Sequence, residues 1–396
     1  MPMYHCLGNI PHKRHTQFRR PDGKLYTEQL MGSRGFSGRS SLIYHHNMPT
    51  QVREIKKVQD CSVRYAKEQG LRHYHFRTKE LAKGGDPVTA RVVLLHNGDV
   101  SMAIAVPDQK MPYFYRNGQG DDMYFIHTGT GRIQTIFGEL EYRPGDYVVI
   151  PRGTSYMFHP NADPQRYLVI ESASSIETPH RYRNEYGQLL EHSPMCERDI
   201  RRPERLETFT EAGKFEVRIK ARDQITAYAF DYHPLDVVGW DGFLYPYIFN
   251  IEDFEPITGR VHQPPPVHQT FEGRNFVVCS FVPRMYDYHP QSVPVPYNHS
   301  NVDSDEVLYY VNGNFMSRRG IEVGSFTLHP SGIPHGPHPG ATEASLGAKE
   351  TLELAVMLDT FHPLHVTTDA EAYDDKTYPY SWLEGGGTFT GEGATG

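Results

Sequence analysis

Two histidines, one glutamate and the turn residues between them are spaced as a metal site would need. His299-Ser-Asn301 is followed by Glu306 and Gly313, then by Gly324, Pro330-Ser-Gly332 and His335. His299 and Asn301 stand two apart, on one face of an extended chain. Val307 to Val311 reads as a strand closed by a turn at Gly313, and Ser325 to His329 as its return. Pro330-Ser-Gly332 then bends the chain so that His335 points back inward. His299, Glu306 and His335 would converge as two imidazoles and a carboxylate, the set that leaves positions open on Fe(II) for substrate and dioxygen. Asp305 competes with Glu306 for the acidic position; strand parity and the spacing to Gly313 favour Glu306. The chain holds 22 histidines and four scattered cysteines with no CxxC pair. Imidazole ligation suits that composition, and a thiolate zinc site or a disulfide scaffold does not.

The elements that would position these groups occur twice. In the first half Asp122 precedes Gly129 by the step that separates Glu306 from Gly313, and Gly145, Pro151-Arg-Gly153 and Tyr156 repeat the second part of the pattern. Tyr115, Asn117, Asp122 and Tyr156 stand at the would-be ligand positions, so the copy carries no histidine there. Around it RVVLLHNGDVSMAIAV, MYFIHTGTGRIQTIF and DYVVIPRG are β-branched and aromatic runs between turns, which predict closely spaced strands. The 35 glycines and 30 prolines fit a chain of short elements and many turns. Residues 50–70, with Val52, Ile55, Val58 and Val63 among charges, predict one amphipathic helix.

The paired motif resembles that of the cupin superfamily, and the resemblance implies an all-β fold of two jelly-roll barrels, a bicupin, with an N-terminal arm and few helices. The expected organisation is an arm and helix over 1–85, a degenerate barrel without metal over 86–180, a connector over 181–213, a metal-binding barrel over 214–370 and a flexible tail over 371–396. Asn301 falls where many cupins carry a third histidine, so three ligands are expected. A narrower likeness covers about residues 25 to 360. LYTEQLMGS and SSLIY near the N-terminus, GWDGFLYPYIFNI (239–251), RVHQPPPVHQTF (260–271), PYNHSNVDSDEV and PHGP are similar to segments of the homogentisate 1,2-dioxygenases.

That resemblance implies His299, Glu306 and His335 as iron ligands, His262 as the acid–base histidine, and His329, Phe315 and Tyr297 as substrate neighbours. It implies Fe(II) as cofactor, O2 and a small dihydroxylated aromatic acid as substrates, and conversion of homogentisate to maleylacetoacetate in tyrosine and phenylalanine catabolism. An imidazole is the side chain suited to take a phenolic proton near neutral pH. Two features depart from the family: the first histidine and the acid are seven apart rather than six, and Phe315 replaces a substrate-contacting tyrosine. A gentisate-like hydroquinone acid, a cupin isomerase and a non-catalytic bicupin stay open as alternatives.

The remaining composition excludes more than it assigns. With 40 Lys+Arg against 48 Asp+Glu the net charge is −8, which gives no footprint for nucleic acid. No apolar run approaches the length of a membrane span, and the start lacks the apolar core of a secretory signal. A cytoplasmic homo-oligomer is expected.

Overall fold

A computed structural model describes residues 3–67, 70–313, 315 and 320–383. The architecture is all-β, two cupin-type barrels built around one shared layer. That layer is an eight-stranded sheet in the order Ile200–Arg201, Tyr247–Asn250, Asp146–Ile150, Asp121–Thr128, Arg166–Ser172, Val100–Ala105, Arg91–His96, His365–Val366. Its strands are apolar on both faces, as a sheet buried between two layers must be. Tyr124, Ile126, Val148, Tyr167 and Val169 point one way, into the first barrel, where Ile133, Leu140, Tyr156 and Phe158 of the facing sheet meet them. Phe125, Tyr147, Val149, Leu168 and Ile170 point the other way. Against them packs a six-stranded sheet in the order Gln269–Gly273, Phe276–Phe281, Leu354–Thr360, Asp305–Asn312, Phe326–His329, Tyr74–Phe76. Val278, Val307, Tyr309, Leu328, Val356 and Leu358 form that seam. Each large apolar side chain buried there contributes about 1.5–3 kcal/mol relative to exposure. The consequence for the site is parity: with Val307 and Tyr309 committed to the seam, Glu306, Leu308 and Tyr310 face away from it.

The duplicated turns are the same in three dimensions. Gly129 and Gly313 sit at φ 99° and 102°, and Gly153 and Gly332 at 83° and 85°, left-handed conformations that a Cβ would oppose.

Five expectations need correction. Residues 54–60 form a strand, Glu54–Asp60, not a helix. It pairs antiparallel with the outer edge of Gln224–Tyr232, and Ile55 and Val58 stay exposed, so no apolar face drives helix packing. The N-terminal arm is folded: His5–Gly8, Thr27–Gly32 and Ser40–His45 form a four-stranded sheet with Val237–Gly242. The expected boundary at 214 does not coincide with the sheets. Ala212–Ala221 and Gln224–Tyr232 extend the outer sheet of the first barrel, Tyr247–Asn250 joins the shared layer, and the six-stranded sheet takes one strand, Tyr74–Phe76, from the N-terminal region and the rest only from Gln269–Gly273 onward. The connector is anchored as well, since Tyr182, Leu189, Met195 and Ile200 are buried in the large core. Within the expected tail, residues 371–383 are packed structure; 384–396 lie outside the described residues.

Candidate metal centre and its cavity

Glu306 is the hub of the site. Its strand, Asp305–Asn312, pairs with Phe326–His329 in a register that sets Glu306 opposite His329, and with Leu354–Thr360 so that Asp359 lies opposite on the other side. His299 and His335 come from two loops clamped together by reciprocal backbone bonds, each amide donating to the other's carbonyl at 2.9 Å. The Asn301 carbonyl adds a third link, accepting from the Gly332 amide at 2.8 Å. The ligand-type atoms of His299, Glu306 and His335 all lie within 4.8 Å of one another. His299 Nε2 is 3.4 Å from Glu306 Oε2, and His335 Nε2 is 3.2 Å from Glu306 Oε1. Asp305, the competitor for the acidic position, turns to the other face and accepts the amides of Ser331 and Leu364 at 2.8 and 2.7 Å.

The donor set fits a divalent metal ion. The His335 imidazole is fully buried; its Nε2 reaches only Glu306, and its Nδ1 finds no hydrogen-bond partner among the described residues. A buried imidazole so thinly satisfied is costly in a dry interior unless a cation takes a lone pair. Burial works against the charge of Glu306, but its contacts with His299, His329 and His335 outweigh burial and hold the carboxyl well below its ordinary range. Two nitrogens and one carboxylate oxygen, with no thiolate, suit iron, manganese or nickel better than a structural zinc.

The cluster opens on a cavity of about 240 Å3. His262, Phe315, Asn301, His299 and Glu306 line it. Phe315 is 9% exposed and meets the Tyr310 ring edge-on at 4.5 Å. His262 stands at the mouth, its Nδ1 3.8 Å from Asp287 Oδ2 and its ring 5.3 Å from that of Tyr297. Tyr297 itself is 59% exposed and is placed on the rim, not on the cavity wall. His329 is placed behind the cluster. Its Nδ1 meets Glu306 Oε1 at 2.8 Å, its Nε2 meets the Tyr378 hydroxyl at 3.0 Å, and its ring stacks on His335 at 4.4 Å. It does not line the cavity.

Three further residues belong to the site. Asp359 lines the cavity, and burial together with the neighbouring Glu306 pushes its carboxyl well above the usual range. The alternation of Ala355, Met357 and Asp359 in LAVMLDT carries that signal. His268 also lines the cavity, and burial lowers its pKa to about 3, so it is neutral at pH 7. Tyr378 lay in the expected tail, where no local pattern marks a packed residue. The segment bearing it also brings Trp382, whose Nε1 donates to the Gly336 carbonyl at 3.1 Å and whose ring stacks on His338 at 4.5 Å.

The fold and site together define a two-barrel β protein in which, among the described residues, one cluster of ligand-type side chains opens on a cavity. The chain belongs to the homogentisate 1,2-dioxygenase family: the model of its N-terminal region, "Homogentisate 1,2-dioxygenase N-terminal", matches residues 6–251. A protein of Saccharolobus solfataricus, provisionally named a dioxygenase, is 44% identical over 387 residues, which is 96% of this chain and 99% of that one. The homogentisate 1,2-dioxygenase of Bradyrhizobium diazoefficiens is 25% identical over 385 residues, 87% of this chain and 83% of the relative. Among solved structures, a cupin 2 conserved barrel domain protein from Leptotrichia buccalis aligns with 77% of this chain at 10% identity and a TM-score of 0.34. At that score it adds nothing to the strand pairings themselves. Among the described residues no helix is long and apolar enough to cross a membrane.

Proposed function

We propose that the chain is an Fe(II)-dependent ring-cleaving dioxygenase that converts homogentisate and O2 to maleylacetoacetate in tyrosine and phenylalanine catabolism. The observation that carries the reading is the convergence of His299, Glu306 and His335, two of which, His299 and Glu306, line a cavity of about 240 Å3. These three residues would hold the metal. Bound there, Fe(II) supplies the redox chemistry that lets an electron-rich ring react with dioxygen.

The chain's own residues prepare the substrate. Leu308, Tyr310, Phe315 and Met357 give the ring an apolar wall that excludes water. His262, oriented by Asp287, is the base that takes a phenolic proton at its imidazole. His329 and Tyr378 hold Glu306 from behind, which fixes the carboxylate's orientation toward the cavity. Phe315 offers no hydroxyl, and this favours one second reading: the same chemistry on another hydroquinone carboxylate such as gentisate.

Anaerobic reconstitution with Fe(II), followed by O2 uptake and absorbance on adding homogentisate, tests both. About one O2 consumed per homogentisate, with a ring-opened diketone absorbing, supports the first reading. Uptake with gentisate alone supports the second, and no uptake with any dihydroxy-aromatic acid by iron-loaded protein refutes both.

A further inference from the structure

The cavity wall carries a cation at the end away from the ligands. Arg284 lies on the short strand Arg284–Met285, paired with Glu350–Thr351, and lines the same cavity as Glu306 and Phe315. Its guanidinium donates to the Val282 carbonyl at 3.1 Å and sits 5.9 Å from the Phe281 ring centre. Among the described residues no carboxylate comes within ion-pair distance of it, although Asp287 and Glu353 line the cavity nearby. Several other arginines do find such partners, Arg72 with Asp374, Arg91 with Asp122 and Arg201 with Asp146, whereas Arg116 and Arg166 are held by hydroxyls and carbonyls that engage more of their donors than Val282 does of Arg284. Burial depresses the Arg284 pKa from its ordinary value, against the opposing influence of the nearby Glu353, Tyr286 and Asp287.

A guanidinium in that position presents a planar fork of donors, the geometry that binds a carboxylate through two parallel bonds. Between it and Glu306 lies the apolar wall of Leu308, Phe315 and Met357. The two ends therefore ask for one kind of molecule, with an oxygen-bearing ring at the His299–Glu306–His335 end and an anion at the other.

Building on the dioxygenase reading above, we infer that Arg284 is the anchor for the substrate's carboxylate, and so the residue that makes the enzyme choose an aromatic acid over an uncharged hydroquinone. The anchor restores from the opposite wall the polar contact that Phe315 cannot give.

Two comparisons test this, one of them free of turnover. In calorimetric titrations of metal-free protein, phenylacetate should bind at least about 10-fold more tightly than phenylacetamide. Arg284→Met should abolish that preference, and Arg284→Lys should keep part of it, because a point charge replaces the fork. With iron-loaded enzyme, the ratio of kcat/KM for homogentisate to that for hydroquinone should fall about 10–100-fold in Arg284→Met. Equal affinity of the wild-type protein for acid and amide, or a preference that survives Arg284→Met, overturns the anchor. Iron-loaded wild type that turns over no dihydroxy-aromatic acid instead overturns the dioxygenase reading, and the titration still decides the anchor.

Discussion

The two barrels solve the same electrostatic problem in different ways. Each sets a carboxylate at the matching place in the repeat, Asp122 in one and Glu306 in the other, and buries it. A buried carboxylate needs a cation or several donors. In the first barrel the chain supplies the cation itself. The Arg91 guanidinium lies 3.4 Å from Asp122 and donates to the Tyr124 hydroxyl, while Asn117 Nδ2 and the Tyr156 hydroxyl donate to Asp122 at 3.1 and 2.9 Å. In the second barrel the partners are the imidazoles of His299, His329 and His335, with His335 otherwise unsatisfied. The first barrel answers its carboxylate from within the chain, and the second leaves its charge for a guest ion. An arginine standing where a metal would stand explains why the first barrel can be a scaffold without losing stability.

Removing the built-in cation should produce the largest effect on the fold. Arg91→Met strands Asp122 in a barrel core, and we expect a loss of about 3–5 kcal/mol in urea unfolding, far more than the same change at the exposed Arg53. Asp305→Ala separates the two neighbouring acids. It should cost about 1–3 kcal/mol, because the Ser331 and Leu364 amides lose their acceptor, yet iron content per chain should be unchanged. Loss of iron in that variant would transfer the ligand role from Glu306 to Asp305. Tyr378→Phe leaves His329 Nε2 without its hydroxyl partner and should weaken iron binding about 10-fold in a chelator competition, with little change in the first barrel.

The smallest effect concerns the seam between the barrels. His127, from a strand of the first, meets the Tyr309 hydroxyl of the second at 2.5 Å. Burial and the nearby Arg166 lower its pKa from 6.5 to about 4. The unfolded chain therefore takes up this proton first as the pH drops. Its contribution is fully kept above about pH 6.5 and is lost progressively toward pH 4. The urea midpoint should decline over that window, less steeply in His127→Asn.

How much of this was legible in the sequence follows from where the information is stored. Strand parity is local, so Glu306 against Asp305, the turn glycines and the closing loop at Pro330 could be read directly. The all-β, two-barrel class followed from the repeat. Residues 54–60 misled because Val52, Ile55 and Val58 fit a helical spacing, whereas the strand exists to cover the edge of Gln224–Tyr232, a partner some 170 residues away. The packing of Tyr378 and Trp382 against the ligand loops is likewise non-local, and nothing in YPYSWL announces it. His329 was identified as a site residue, but its place behind Glu306 depends on Tyr378 and could not be read without it.

The central claim is that only the second barrel takes a metal, and iron stoichiometry tests it most directly. After anaerobic loading with Fe(II) and desalting, the wild-type chain should hold about one iron, His335→Ala none, and Tyr156→Phe, altered at the matching position of the first barrel, the same as wild type. Two irons per wild-type chain, or full iron in His335→Ala, would contradict the account.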